Sequence, residues 1–267
     1  MSTYLDRIMS QTSLSMLERK AAADTSQLEQ RAAAHRPRGF QASLRTAATL
    51  GPAMIAELKK ASPSKGLLRE DYHPATIAKS YEAVGAAAIS VLTNEEFFQG
   101  SLADLSAVSD AVRIPVLQKD FILDPFQMLE ARAHGADAIL LIVASHTDAN
   151  LKELVKAAGA MELEVLCEVH VRDELERAVQ LGVEVIGVNC RDLTTMQLNP
   201  QIHDDMAQWM PANVLRVAES GIRNPEDIAR LTARGYNAFL IGETLMRQPD
   251  PAAMLAQLMD KNYVSSL

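Results

Sequence analysis

From residue 53 onward, eight short apolar runs alternate with amphipathic stretches. The runs are AMIAEL, AAAISVLT, IPVLQKD, AILLIV, EVLCEVH, VIGVNC, VLRVAES and AFLIGE. Each of the first seven leads through a polar loop into a segment with helical spacing, such as HPATIAKSYEAVG, SLADLSAVSDAV, DPFQMLEARAHG, LKELVKAAGAM, RDELERAVQLG and NPEDIARLTARG. The sixth connection, NPQIHDDMAQWMP, has the weakest helical pattern, and DPAAMLAQLMD supplies an eighth helix after the last run. Several helices open on Asp-Pro, Asn-Pro or His-Pro, where Pro suits the first turn. Several close at a Gly, which tolerates the left-handed stop that ends a helix.

Near-continuous apolar strands are the mark of a sheet covered by helices, and strictly alternating strands and helices imply parallel pairing through right-handed crossovers. Eight such units predict an α/β fold, a (β/α)8 TIM barrel. The rival is a doubly wound open sheet, which usually carries a Gly-rich turn after its first strand. Here that loop reads KKASPSKG, without G-x-G-x-x-G. Before the first strand come helical segments broken near Arg36-Pro37-Arg38-Gly39. We expect an N-terminal helical extension over 1–50 and the barrel over 51–267, one domain overall. The extension either plugs the bottom of the barrel, packs on its side, or forms an extra lobe beside the mouth.

The composition, 48% hydrophobic and 22% charged over 267 residues, suits a chain with a sizeable core. A net charge of −8 argues against a broad nucleic-acid surface while leaving room for a local basic pocket. Two cysteines without metal or redox spacing fit a reducing compartment, and no run approaches a membrane span or a secretory signal, so the expected location is cytoplasmic. The six histidines lack ligand spacing, so no metal is expected.

Barrel chemistry sits at the C-terminal ends of the strands. Strand one ends in Glu57 and Lys59, strand three in Lys119, and strand five in Glu168. Strand six ends in Asn189, with Arg191 two residues on, strand seven in Glu219-Ser220-Gly221, and strand eight in Gly242-Glu243. Alternation puts Glu57 with Lys59, Asn189 with Arg191, Leu166 with Glu168 and Val217 with Glu219 on shared faces. If those faces are interior, the charges converge on one wet mouth. Each alone also fits a solvated loop edge. Lys119 and Glu168 stand out because apolar residues flank both, and a buried charge without a partner is costly. The glycines in ESGI and IGETL lie where barrels build a phosphate cradle, with ordinary turns as the alternative. Ser62 and Ser64 offer hydroxyls to it. Phe97, Phe98 and Phe121 either stack on an aromatic substrate or pack neighbouring loops. Cys167 and Cys190 alternate towards the helix layer, His170 reads as a loop residue, and Trp209 carries no signal.

The segments IAELKKASPSKG, AISVLTNEEFFQGSL, PVLQKDFILDPFQMLEARAHGADAILLI, CEVH, IGVNCRDL, AESGI and IGETLM together resemble the indole-3-glycerol-phosphate synthase family, in order over 53–246. The resemblance implies a (β/α)8 barrel with a helical extension that acts in tryptophan biosynthesis. Such an enzyme closes the indole ring of 1-(2-carboxyphenylamino)-1-deoxyribulose 5-phosphate with loss of CO2 and water, using no cofactor or metal. It also implies a phosphorylated small-molecule substrate, no nucleic-acid or membrane partner, and a monomer, with other tryptophan-pathway enzymes as candidate partners.

By the same resemblance Lys119 is the general acid and Glu168 handles a proton in the dehydration. Glu57 and Lys59 position Lys119 and bind the substrate carboxylate, helped by Arg191. Asn189 binds a hydroxyl and Glu219 is a further acid. Ser62, Ser220, Gly221, Gly242 and Glu243 hold the phosphate, while Phe98 and Phe121 wall the anthranilate pocket. A general acid clustered with Lys59 and Arg191 would have a lowered pKa. The chain departs from the family in Gln118, often Arg, and Cys190, often Asn; both should alternate away from the interior. Phosphoribosylanthranilate isomerase, a related barrel, uses a Cys on strand one, where this chain has Glu57 and Lys59. A barrel that only binds would have lost some charged strand ends, and none is missing.

Overall fold

The computed structural model describes residues 3–260. All eight runs form strands: Ala53–Leu58, Ala88–Leu92, Val116–Lys119, Ala138–Ile142, Glu164–Val169, Val185–Asn189, Leu215–Glu219 and Ala238–Ile241. They pair in parallel, in chain order, and strand one closes on strand eight to make a barrel. The sheet is tied level around its rim: Glu57 pairs with Ser90, Leu92 with Lys119, Ile142 with Glu168, and Asn189 with Glu219.

Side-chain alternation divides the apolar residues into two cores. Ile55, Leu117, Leu140, Leu166, Val217 and Leu240 fill the barrel interior. Met54, Ile89, Val116, Ile139, Cys167, Ile186 and Phe239 face outward and pack under the helices. Gln118, within strand three, and Cys190, the residue after strand six, are both buried and fall on that outward parity, as expected. Gln118 donates from Nε2 to Thr93 Oγ1 at 2.9 Å.

Helices α1 (Tyr4–Ala22), α2 (Thr25–Ala34) and α3 (Phe40–Leu50) precede the barrel. The barrel's own helices are α4 (Pro74–Ala83), α5 (Glu95–Phe98), α6 (Leu102–Ala111), α7 (Phe126–Ala133), α8 (Asp148–Ala160), α9 (Arg172–Gln180), α10 (Gln201–Ala207), α11 (Pro225–Ala233), α12 (Glu243–Met246) and α13 (Pro251–Leu258). The weakly patterned α10 packs Ile202, Met206 and Ala207 on the outer core and adds buried polar bonds to them. His203 Nε2 lies 3.1 Å from the carbonyl oxygens of both Val188 and Glu219, and the Tyr236 hydroxyl donates to the His203 carbonyl at 2.9 Å. Burial lowers the His203 pKa, which suits a neutral ring donating one N–H to those carbonyls.

The N-terminal helices serve both ends of the barrel. Phe40 and Leu44 of α3 are fully buried in the interior core, against the small residues Ala53, Ala88, Ala138 and Ala238 that begin the strands. The loop before α3 is fastened by Asp137, whose carboxylate accepts from Arg38 N, Arg38 Nε and Val116 N at 2.7–2.8 Å and meets His35 Nε2 at 3.1 Å. At the other end α1 lies beside the mouth. Its Thr12 hydroxyl accepts from Asn94 Nδ2 at 3.1 Å, Arg19 grips Glu130 of α7 through two nitrogens, and Lys20 meets Asp124 at 2.9 Å.

Candidate active site

Because all strands run the same way, their C-terminal residues open into one space. Glu57, Lys59, Ser62, Phe98, Lys119, Phe121, Glu168, Asn189, Arg191, Glu219, Ser220, Gly221, Gly242 and Glu243 line a single cavity of about 540 Å³. Every residue singled out from the sequence as a candidate contact is therefore brought to one place. Phe97 is half-buried against the interior core beside it, and Ser64 also lines the cavity.

Lys119, Glu168 and Glu219 form the centre. The Lys119 ammonium lies 3.1 Å from Glu168 Oε2 and 3.3 Å from Glu219 Oε2, with both carboxylates essentially without solvent exposure. Strands three, five and seven each contribute one member. Burial alone would lower the Lys119 pKa, but the charges of Glu168, Glu219 and Glu57 outweigh it and the net shift is upward. This corrects the expectation of a lysine among cations with a lowered pKa: the neighbours within reach are carboxylates, and they hold Lys119 as an ammonium.

The two carboxyls split apart in the same field. Burial pushes Glu219 up, and the charge of Glu168 adds to it against the pull of Lys119, to about 8. For Glu168, burial is overcome by Lys119 and by His170, and its pKa falls well below the ordinary carboxylate value. At neutral pH the cluster is thus an ammonium, a carboxylate and a carboxylic acid. Pairs of titratable groups driven apart in this way mark acid and base functions.

Around this centre Lys59 pairs with Glu57 at 2.6 Å, the same-face contact expected from their spacing. Arg191 reaches Glu243 at 3.3 Å, the Met196 carbonyl at 3.1 Å and the Ser64 hydroxyl at 3.4 Å, while its own N–H donates to Asn189 Oδ1. It thereby ties the loops after strands one, six and eight. Beyond strand seven, Ser220 and Gly221 both have positive φ, 65° and 70°, so the chain turns back towards the mouth. A non-glycine residue held there is strained, a cost usually found at functional sites. At Gly221 a side chain would also meet Cys190 Sγ at 2.8 Å.

Two interior glycines have another use. A Cβ on Gly187 would land on the Glu219 carboxylate, and one on Gly242 on that of Glu57. The missing side chains are the space those carboxylates occupy. Gly187 was not singled out from the sequence, although a Gly inside a strand signals close approach by another group. Also unforeseen were Ile8 of α1, which is fully buried and lines the cavity, and Asn94 and Asp120. Asp120 accepts from Thr93 Oγ1 at 2.6 Å and from Asn94 Nδ2 at 3.3 Å, binding the loops after strands two and three together.

A closed parallel barrel whose strand ends aim coupled acids and bases into one cavity is a (β/α)8-barrel enzyme. Solved structures reproduce the fold: a mandelate oxidase mutant with a monooxide FMN adduct (TM-score 0.62, 16% identity, 80% of this chain and 74% of that one). So does thiamine phosphate pyrophosphorylase from Pyrococcus furiosus (TM-score 0.59, 14% identity, 80% of this chain and 96% of that one). The family model described as indole-3-glycerol phosphate synthase matches residues 5–258. An indole-3-glycerol phosphate synthase of Koribacter versatilis (strain Ellin345) is 54% identical over 259 residues, covering 97% of this chain and all of the relative. The chain belongs to the indole-3-glycerol phosphate synthase family, carboxy-lyases of tryptophan biosynthesis.

Proposed function

We propose that Lys119, Glu168 and Glu219 divide the proton transfers of ring closure, decarboxylation and dehydration among themselves. The reaction converts 1-(2-carboxyphenylamino)-1-deoxyribulose 5-phosphate into indole-3-glycerol phosphate, CO2 and water. The observation that carries this reading is the cluster itself: one ammonium within 3.3 Å of two buried carboxyls whose pKa values are driven in opposite directions.

Attack of the aromatic carbon on the substrate carbonyl builds charge on oxygen, and Lys119 is the donor that meets it. Loss of CO2 from an ionised carboxylate leaves its electron pair on the ring, so each turnover takes up one proton. Glu219, which keeps its proton to about pH 8, reloads Lys119. Dehydration then needs an acid at the departing hydroxyl and a base for one proton of the neighbouring ring methylene, since the indole product keeps its N–H. Glu168, held ionised, is the base.

Lys59 binds the substrate carboxylate, with Glu57 holding its ammonium in place. Arg191 closes the carboxylate side through its links to Ser64 and Glu243, and Asn189 bonds a substrate hydroxyl. The backbone around Ser220, Gly221, Gly242 and Glu243, at the start of α12, receives the phosphate, as loops after strands seven and eight do in many barrels. Ser62 Oγ is buried without a protein partner and faces the same cavity, so it is free to bond the phosphate. Phe98 and Phe121 flank the anthranilate ring. The helical extension, 1–50, and the barrel, 51–267, act as one unit, since Ile8 closes the cavity wall. A monomer in the cytoplasm is the form that goes with this reading.

The test is direct. Incubation with the carboxyphenylamino-deoxyribulose phosphate should give indole fluorescence, lost in Lys119→Met and in Glu168→Gln. A Glu168→Gln protein with parent turnover would remove Glu168 from the base role.

A further inference from the structure

His170 stands two residues beyond Glu168, and its ring is caught between two carboxylates. Nε2 lies 3.3 Å from Glu168 Oε1, and Nδ1 lies 3.3 Å from Glu174 Oε2 in the first turn of α9. The same Glu174 oxygen accepts the His170 backbone N–H at 2.7 Å, so ring and main chain are fastened to one group. The imidazole is 11% exposed, and it does not line the cavity.

Glu168 therefore has a different partner for each oxygen: Lys119 at Oε2 and His170 at Oε1. Lys119 is shared with Glu219, whereas His170 is not. The charged groups of the flanking elements are engaged elsewhere. Arg177 of α9 is bound to Asp148 and to the carbonyls of Val143 and His146, and burial lowers the His146 pKa, disfavouring its charged form. Arg191, beyond strand six, faces Ser64, Met196 and Glu243. The charges facing His170 are Glu168 from its own strand and Glu174 from the next helix.

We propose that His170, clamped by Glu174, is a positioning residue that fixes the rotamer of Glu168 and keeps it an anion able to accept a proton in the dehydration. A buried carboxylate with one shared cation can swing towards that cation or take up a proton. A second cation on its far oxygen opposes both. The pKa of His170 agrees with this: burial lowers it, but Glu168 and Glu174 raise it to about 10, so the ring is an imidazolium at neutral pH. The inference rests on the reading of Glu168 as the base.

Steady-state kinetics of His170→Ala, His170→Gln and Glu174→Gln test it, with the full chain and the carboxyphenylamino-deoxyribulose phosphate. For His170→Ala, kcat should fall about ten- to a hundredfold with KM changed less than about threefold, and the acidic limb of kcat should rise by at least about one pH unit. Glu174→Gln should move the limb the same way by less. His170→Gln, whose neutral amide keeps a polar N–H on the side of Glu168 Oε1 but brings no charge, should restore most of kcat without restoring the limb. Parent kcat and an unmoved limb in His170→Ala would overturn the proposal, and so would a kcat loss with the limb unmoved, which marks general damage. If His170→Ala does not fold, Glu174→Gln decides: an unmoved limb there overturns it. Glu168→Gln separates the two readings. Parent activity in that variant removes the base assignment itself, while an inactive Glu168→Gln beside a parent-like His170→Ala removes only the positioning role.

Discussion

At the bottom of the barrel, Asp137 gathers Arg38 N, Arg38 Nε, Val116 N and His35 Nε2 around one carboxylate. At the top, Glu168 and Glu219 share Lys119, and Glu168 Oε1 and both oxygens of Glu219 make no aligned hydrogen bond within the protein. All three side chains are essentially unexposed. The contrast lies in how fully they are bonded. A saturated buried carboxylate has nothing left to offer and serves to fasten the extension to the strands. An unsaturated one beside a cation retains lone pairs and titrates, which is what proton transfer requires.

The largest expected effect comes from breaking the saturated end. Asp137→Ala takes its carboxylate away from the Arg38 guanidinium, which is half-buried and also bonds Ser109, Val112 and Gly135. Losing one partner of such a network costs about 3–5 kcal/mol, so the melting temperature should drop by about 10 °C. The kcat of the folded enzyme should stay within about twofold of the parent. A stable but inactive Asp137→Ala would mean the two ends are not separate in function.

The opposite behaviour is expected of Lys119→Met. Methionine keeps the stem volume, and the two carboxyls left behind can share a proton, so melting should move by less than about 5 °C. Turnover should fall at least about a hundredfold, while substrate binding weakens much less. If kcat is near normal, the donor is Lys59 or a carboxylic acid instead.

How much of this could be read beforehand follows from where each constraint originates. Strand parity is local, so the shared face of Glu57 and Lys59 and the outward facing of Cys167 and Gln118 are legible from alternation, while which face lines the interior is not. The protonation of Lys119 was not, because its partners come from strands five and seven. Gly187 needs its bare Cα on account of Glu219, on the next strand. Ile8 belongs to a visible helical stripe with Leu5, Thr12 and Met16, but a stripe does not say which end of a barrel it covers. His170 reads as a loop residue because its partner Glu174 lies in what reads as an ordinary first helical turn. The turn after strand seven was half legible: the glycine showed, the positive φ of Ser220 did not.

Gly187→Ala sharpens the comparison by disturbing the upper end without removing any functional group. The added methyl must displace the Glu219 carboxylate from Lys119. We expect kcat to fall about tenfold with little change in melting, since losing glycine's backbone freedom stabilises by about 0.4–1 kcal/mol and offsets the crowding. Gly159, in α8 with nothing within 4 Å of an added Cβ, is the control. Gly159→Ala should raise stability by about 0.5–1 kcal/mol and leave kcat alone. Equal kinetic behaviour of the two variants would show that the space beside Glu219 is not used.

The smallest expected effect is read from pH, and it follows from the sign of one shift. Glu219 has a folded pKa raised to about 8, so the folded protein keeps a proton there that the unfolded chain gives up near the ordinary carboxylate value. Stability from this group therefore declines as pH rises through that window and levels off above about 8. Glu219→Gln should flatten that decline. In catalysis the proton is present below about 8 and absent above it, where a second anion beside Glu168 binds Lys119 more tightly and no acid remains to reload it. The parent kcat should be about half-maximal near pH 8 and fall further beyond. Asp137→Asn, at the far end, should leave that midpoint where it was, because Asp137 does not line the cavity. A parent kcat that stays flat to well above pH 9 would show that the Glu219 proton is not drawn on, and the upper carboxyls would then act only by holding Lys119 in place.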